Sequence, residues 1–104
     1  MAAKPEALAR FFTALSDPTR LRLVLLLARR GTEKGCGCGS LCVNALAHRL
    51  GLTQSAVSQH LRVLRHVGLV HGERKGAFVH YSVDKSELSR QLLSLREAVG
   101  IGAE

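Results

Sequence analysis

Residues 53–70 read TQSAVSQHLRVLRHVGLV. Val57, Leu61 and Leu64 fall at i, i+4 and i+7, one stripe of a helix with 3.6 residues per turn, while Gln54, Ser55, Ser58, Gln59, Arg62 and Arg65 fall off it. The stretch therefore predicts a helix with one face for a core and another, of short polar groups and arginine, for something outside. Just upstream, Ala45 to Leu50 form a short helical run. Gly51 accepts the left-handed conformation that ends a helix, and Thr53 can cap the next one. The local reading is helix, tight turn, helix.

Working outward, EALARFFTAL (6–15) carries Leu8, Phe11, Phe12 and Leu15 on an apolar stripe and predicts a first helix from Pro5 to Leu15. Ser16-Asp17-Pro18 supplies an N-cap and a proline whose fixed φ suits the first helical position. A second helix follows through LRLVLLLARR to Gly31, apolar on nearly every side, so its middle is expected to be the most buried segment. Residues 31–40, GTEKGCGCGS, have four glycines and no periodicity and read as a loop. After Gly68, residues 69–73 and 77–83 are rich in β-formers around a basic turn, Arg74-Lys75-Gly76, predicting a hairpin. A last helix from Asp84 or Lys85 to Val99 spaces Leu88, Leu92, Leu95 and Val99 by 4, 3 and 4, a stripe that needs a partner. The expected fold is mostly α with a small β-hairpin, in the order α-α-α-α-β-β-α: a winged helix-turn-helix over residues 1–104 as one domain.

A chain of 104 residues buries only roughly 65% of its unfolded surface, so association with a second copy would help it. Its 15 basic and 8 acidic residues give a net charge of +7 and point to a polyanion, nucleic acid above all, because Lys and Arg release the counterions condensed on phosphates. The longest apolar run, Leu23 to Ala28, is far below the roughly 20 residues of a membrane span, and MAAKPEALARFF lacks the apolar core of a secretory signal. A cytoplasmic protein is expected. In a reducing compartment, three cysteines argue for metal or redox chemistry rather than a disulfide framework. No acid-base carboxylate pair, nucleophile motif or phosphate-cradling loop suggests an enzyme.

ALSDPTRLRLVLLL, LCVNALAHRLGLTQSAVSQHLRVLRHVGLV and the wing RKGAFVHYSV together resemble the ArsR/SmtB family of metal-sensing transcriptional repressors, over nearly the whole chain. The resemblance implies a homodimer, joined through its first and last helices, that binds a palindromic operator and leaves it when an ion or thiol-reactive effector binds. Gln54, Ser55, Ser58, Gln59, His60 and Arg62 are the candidates for base or phosphate contacts. Gln suits adenine and Arg guanine in the major groove, and His60 lies near the edge of the buried stripe. Arg74 and Lys75 are read as phosphate or minor-groove contacts of the wing.

Cys36, Cys38 and Cys42 have the spacing C-x-C-x3-C, among glycines that leave a loop free to fold round a small ion. In the family the motif at this helix reads ELCVCDL. Here it is SLCVNAL: Cys42 matches the first motif cysteine, while Asn44 replaces the second and Ala45 the aspartate. Three thiolates without a nearby histidine or carboxylate suit a thiophilic effector, As(III) or Sb(III), whose lone pair favours a pyramid of three sulfurs. Cd(II), Pb(II) and Hg(II) remain open, whereas structural zinc closes a tetrahedron. The acids of the last helix, Asp84, Glu87 and Glu97, do not recreate the zinc site that some family members carry there. Two alternatives stand beside coordination: a redox or persulfide sensor pairing Cys42 with Cys36 or Cys38, and incidental cysteines in a constitutive architectural DNA-binding protein.

Overall fold

The computed structural model describes residues 4–30 and 41–102. Punctuation in the sequence sets where the helices start and stop. Helix α1 runs Pro5–Ala14 and α2 Pro18–Arg30. Between them Asp17 Oδ1 accepts hydrogen bonds from the backbone N–H of Thr19 (2.7 Å) and Arg20 (3.1 Å), satisfying donors that have no partner within a helix's first turn. Helix α3, Val43–Leu50, ends at Gly51 with φ 67°, and α4, Gln54–His66, begins at Thr53, whose hydroxyl accepts from Ala56 N–H at 3.1 Å. The predicted helix, turn and helix stand as read, with α3 starting two residues earlier than the sequence pattern indicated.

The stripe on α4 is dry. Val57, Leu61 and Leu64 are 0%, 1% and 0% exposed, and they pack with Phe11, Ala14, Leu23, Val24, Leu27, Leu46, Ala47, Leu69 and Val70 in one core. Helix α2 departs from the expectation of burial on nearly every side. Leu23, Val24 and Leu27 are buried, but Leu21 and Leu25 are 42% and 55% exposed, because α4 and the sheet cover only one side of the helix.

The hairpin is strands β2, Val70–Lys75, and β3, Phe78–Val83, in antiparallel register from Val70 opposite Val83 to Lys75 opposite Phe78. Arg74 and Lys75 lie at the end of β2 rather than in the turn; the two-residue turn is Gly76-Ala77, with Gly76 at φ 64°. A third strand that the sequence pattern did not show, β1 at Leu41–Cys42, pairs antiparallel with β3, Leu41 opposite Tyr81 and Cys42 opposite His80, for a sheet order β1-β3-β2.

Helix α5, Lys85–Val99, is capped by Asp84, whose Oδ1 accepts from Glu87 N–H at 2.9 Å. Of its predicted apolar stripe, Leu88 packs against the core, while Leu92, Leu95 and Val99 are 50%, 38% and 63% exposed. No residue of α5 is buried, although it touches α1. Among the described residues no helix is long and apolar enough to cross a membrane.

Leu61→Ala is expected to lower unfolding free energy by about 2–5 kcal/mol through the cavity that it leaves. Gly51→Ala should cost about 1–2 kcal/mol from left-handed strain alone, since no atom lies within 4 Å of the added Cβ. Urea denaturation of the two variants checks both the sizes and the order.

Candidate nucleic-acid interface and effector site

Burial of one side of α4 decides what the other side shows. Gln54, Ser55, Ser58, Gln59 and Arg62 are all exposed along it. His60 is half-buried and tied inward: Arg20 Nη1 lies 3.4 Å from its Nδ1. The same guanidinium donates from Nε to the carbonyl of Ala14 (2.7 Å) and from Nη2 to that of Thr13 (3.5 Å), so Arg20 joins the end of α1, the start of α2 and the middle of α4. His60 thus sits as a strut between helices, while the other five candidates stand exposed along one face of α4. Arg74 and Lys75 are exposed at the wing end of β2, beside Phe78, a large apolar side chain left 52% exposed.

Of the three candidate thiols, Cys36 and Cys38 lie outside the described residues. Cys42 is half-buried at the N-cap position of α3, and its side chain makes no capping hydrogen bond. It borders a cavity of about 230 Å³ whose other walls include Asn44 of α3, Ser58 of α4, and Phe78, Val79 and Tyr81 of the wing. The position where the family motif carries its second cysteine therefore faces the same space as Cys42. Ser58 belongs to the exposed face of the predicted recognition helix, so one small cavity touches both elements read as contacting DNA. Among the described residues no group of three His, Cys, Asp or Glu side chains is placed to hold a metal ion.

Two of the acids named at α5, Asp84 and Glu87, are engaged within the protein. Asp84 caps the helix through Oδ1 and meets His71 Nε2 at 2.7 Å through Oδ2. The Glu87 N–H and then His71 hold its carboxyl below the ordinary value of 3.8. Glu87 accepts from Gln91 Nε2 at 2.9 Å and pairs with Arg90, which lower its carboxyl in that order against some desolvation.

Tyr81 and Arg65 are partners that periodicity left unassigned. Arg65 Cζ lies 5.9 Å from the centroid of the Tyr81 ring, which joins α4 to the sheet. Gly72, opposite Tyr81 in the β2–β3 ladder, makes room for that ring, since a Cβ there would stand 2.9 Å from Tyr81 Cε1. A glycine facing an aromatic across a hairpin was the available signal, and it needs the register to be read.

Comparison with known proteins gives the family model described as bacterial regulatory protein, arsR family, matching residues 17–71. A transcriptional repressor SmtB homolog of Synechocystis sp. is 44% identical over 78 residues, 75% of this chain and 52% of that protein. The arsenic resistance transcriptional regulator ArsR1 of Pseudomonas putida is 43% identical over 70 residues, 67% of this chain and 48% of that one. The chain thus spans about half the length of these two relatives. It covers more of the HTH-type transcriptional regulator CmtR of Mycobacterium tuberculosis, 74% of that protein and 92% of this chain, at 41% identity over 96 residues. Among solved structures, an ArsR-like transcriptional regulator from Rhodococcus sp. RHA1 superposes with a TM-score of 0.76 at 29% identity, covering 92% of this chain and 81% of that one. A homodimeric winged helix-turn-helix DNA-binding domain from Mycobacterium bovis superposes with a TM-score of 0.66 at 25% identity, covering 88% and 82%.

Asp84→Asn keeps the capping acceptor and removes the charge. Because the folded state favours the ionised form, wild-type protein should be the more stable above the ordinary carboxylate value of 3.8, and the difference should shrink as pH falls through and below it. Thermal unfolding of both proteins from about pH 7 to about pH 3 measures this; a gap unchanged at the acid end contradicts it.

Proposed function

This chain belongs to the arsR family of bacterial regulatory proteins, and from that premise we propose that it is a homodimeric repressor which binds operator DNA through α4 and the wing and is released by a thiophilic ion, As(III) or Sb(III), held by Cys36, Cys38 and Cys42. The observation that carries the proposal is the position of Cys42, in a cavity shared with Ser58 of α4 and with Phe78 and Tyr81 of the wing.

DNA binding is supported by the face of α4. Gln59 and Gln54 can pair with adenine edges, Arg62 with guanine, and Ser55 and Ser58 with phosphates near the helix start. Arg74 and Lys75 at the wing suit phosphates or the minor groove. Dimerisation is supported by the uncovered stripe Leu92, Leu95 and Val99 on α5, which lies against α1. It is supported too by the likeness to a homodimeric domain. In such a dimer the two α4 helices would read half-sites about 34 Å apart, one turn of DNA.

Cys36, Cys38 and Cys42 would hold the effector through their thiolates, a donor set that suits a thiophilic ion. The spacing C-x-C-x3-C brings the loop cysteines within a few residues of Cys42 along the chain. Any displacement of the Cys42 backbone passes along two routes. One is the β1–β3 pairing, where Cys42 stands opposite His80 and Leu41 opposite Tyr81. The other is α3, which begins at Val43 and packs on α4. Both end at elements whose spacing across the dimer sets operator affinity.

The test is an anaerobic titration of reduced protein on labelled operator with arsenite, antimonite, cadmium, lead and zinc, with sulfur-to-ion absorption recorded alongside. Arsenite or antimonite should weaken operator binding by about 5- to 150-fold, the range of ordinary allosteric coupling. Cys42→Ser should bind operator as wild type does and stay bound. Release of a protein in which all three cysteines are serine contradicts coordination. Release that needs an oxidant rather than an ion favours the redox alternative instead.

A further inference from the structure

The outward face of α4 does not stop at Arg62. Residues three and four apart lie on one side of a helix, so Ser58, Gln59, Arg62, Arg65 and His66 continue a single exposed line toward its C-terminus. Where α4 passes into β2 this line meets the strand in a cleft of about 450 Å³, bordered by Arg62, Arg65 and His66 on one side and by His71 and Gly72 on the other. No carboxylate is among its lining residues, and Asp84 Oδ2, 2.7 Å from Nε2 of the lining His71, holds that ring. Arg65 is held as well, by its position over Tyr81, and Gly72 keeps the room for the ring that holds it. The cleft therefore offers two permanently charged guanidinium groups and two imidazoles on a pre-arranged frame. That suits a phosphate diester, because guanidinium forks bind two of its oxygens at once and arginine sheds water more readily than lysine.

We infer that this cleft takes one backbone phosphate of the DNA duplex, beyond the contacts of the α4 N-terminal half and the wing tip. The inference rests on the reading of α4 as the recognition helix. Arg62 borders both the base-reading face and the cleft, which places a phosphate here next to the groove that the helix enters. Arg65, His66 and His71 thereby become positioning residues that fix the helix's register on the duplex without reading its sequence. Inorganic phosphate shares the chemistry, and the experiment separates the two sources.

Operator and an unrelated duplex are titrated by fluorescence anisotropy between about 50 and about 200 mM salt with wild type, Arg65→Gln, Arg65→Lys and His66→Glu, each checked for its melting temperature. In Arg65→Gln the slope of log affinity against log salt should fall by about one, with the same several-fold loss on both duplexes, and Arg65→Lys should keep the slope. His66→Glu, whose side chain is not the one over Tyr81, should weaken both duplexes alike and remains informative if Arg65→Gln does not fold. An unchanged slope in folded Arg65→Gln overturns the inference. A loss confined to the operator does so as well, since that marks a base contact. In parallel, inorganic phosphate is added to DNA-free protein and the amide resonances of Arg65, His66 and His71 are followed; shifts there with unaltered salt slopes assign the cleft to a free anion and likewise overturn it. Wild-type protein that binds no duplex at all would remove the reading of α4 itself.

Discussion

What this protein can present to another molecule depends on three side chains being dry. Val57, Leu61 and Leu64 fix the rotation of α4 about its own axis, because turning the helix by one residue would expose one of them and bury a polar neighbour. With that rotation set, Ser55, Ser58, Gln59 and Arg62 have one direction left to face. Caps fix the helix along its axis: Gly51 closes α3 at φ 67° and Thr53 opens α4, leaving three residues between the helices and little freedom in their angle. A rigid, polar and basic ridge on a protein of net charge +7 follows from these constraints.

The same packing places the sheet. Tyr81 stands on β3 between two features: the cavity at Cys42 lies against it, and Arg65 at the edge of the basic cleft lies over its ring. Cys42 in turn opens α3 and pairs with β3, so the thiol sits where the helix-turn-helix and the wing are joined by backbone hydrogen bonds as well as by side chains. An input at this seam reaches both DNA-facing elements without crossing the core. The proposed thiol input and the proposed phosphate contact thus both adjoin one aromatic ring, and a shift of that ring would be felt by both.

Much of this was legible in the sequence, and the exceptions have physical reasons. Periodicity located α4 and its buried stripe, and the N-caps read at Ser16-Asp17-Pro18 and at Thr53 act there, through Asp17 and Thr53. Strand β1 was not legible, since two residues carry no period and their pairing with Tyr81 and His80 is set by tertiary packing. The exposure of Leu21 and Leu25 escaped for the opposite reason: α2 is apolar on nearly every side, so its sequence does not say which side its neighbours cover. The turn was misplaced toward Arg74 because basic residues and a glycine read alike as turn, whereas the ladder runs on through Lys75. At the candidate site, Cys42 and the exposed polar face of α4 could be named from sequence, but the cavity joining them could not. Its walls come from residues 42–44, 58, 77–79 and 81, brought together only by folding.

Tyr81 is the chain's single tyrosine, which makes the seam directly observable. Protein labelled with 3-fluorotyrosine gives one ¹⁹F resonance, recorded as arsenite is added to the reduced, operator-bound dimer. The resonance should move in step with operator release, and in Cys42→Ser it should stay where it is. Operator release from wild-type protein with the Tyr81 resonance unmoved would contradict transmission through this seam.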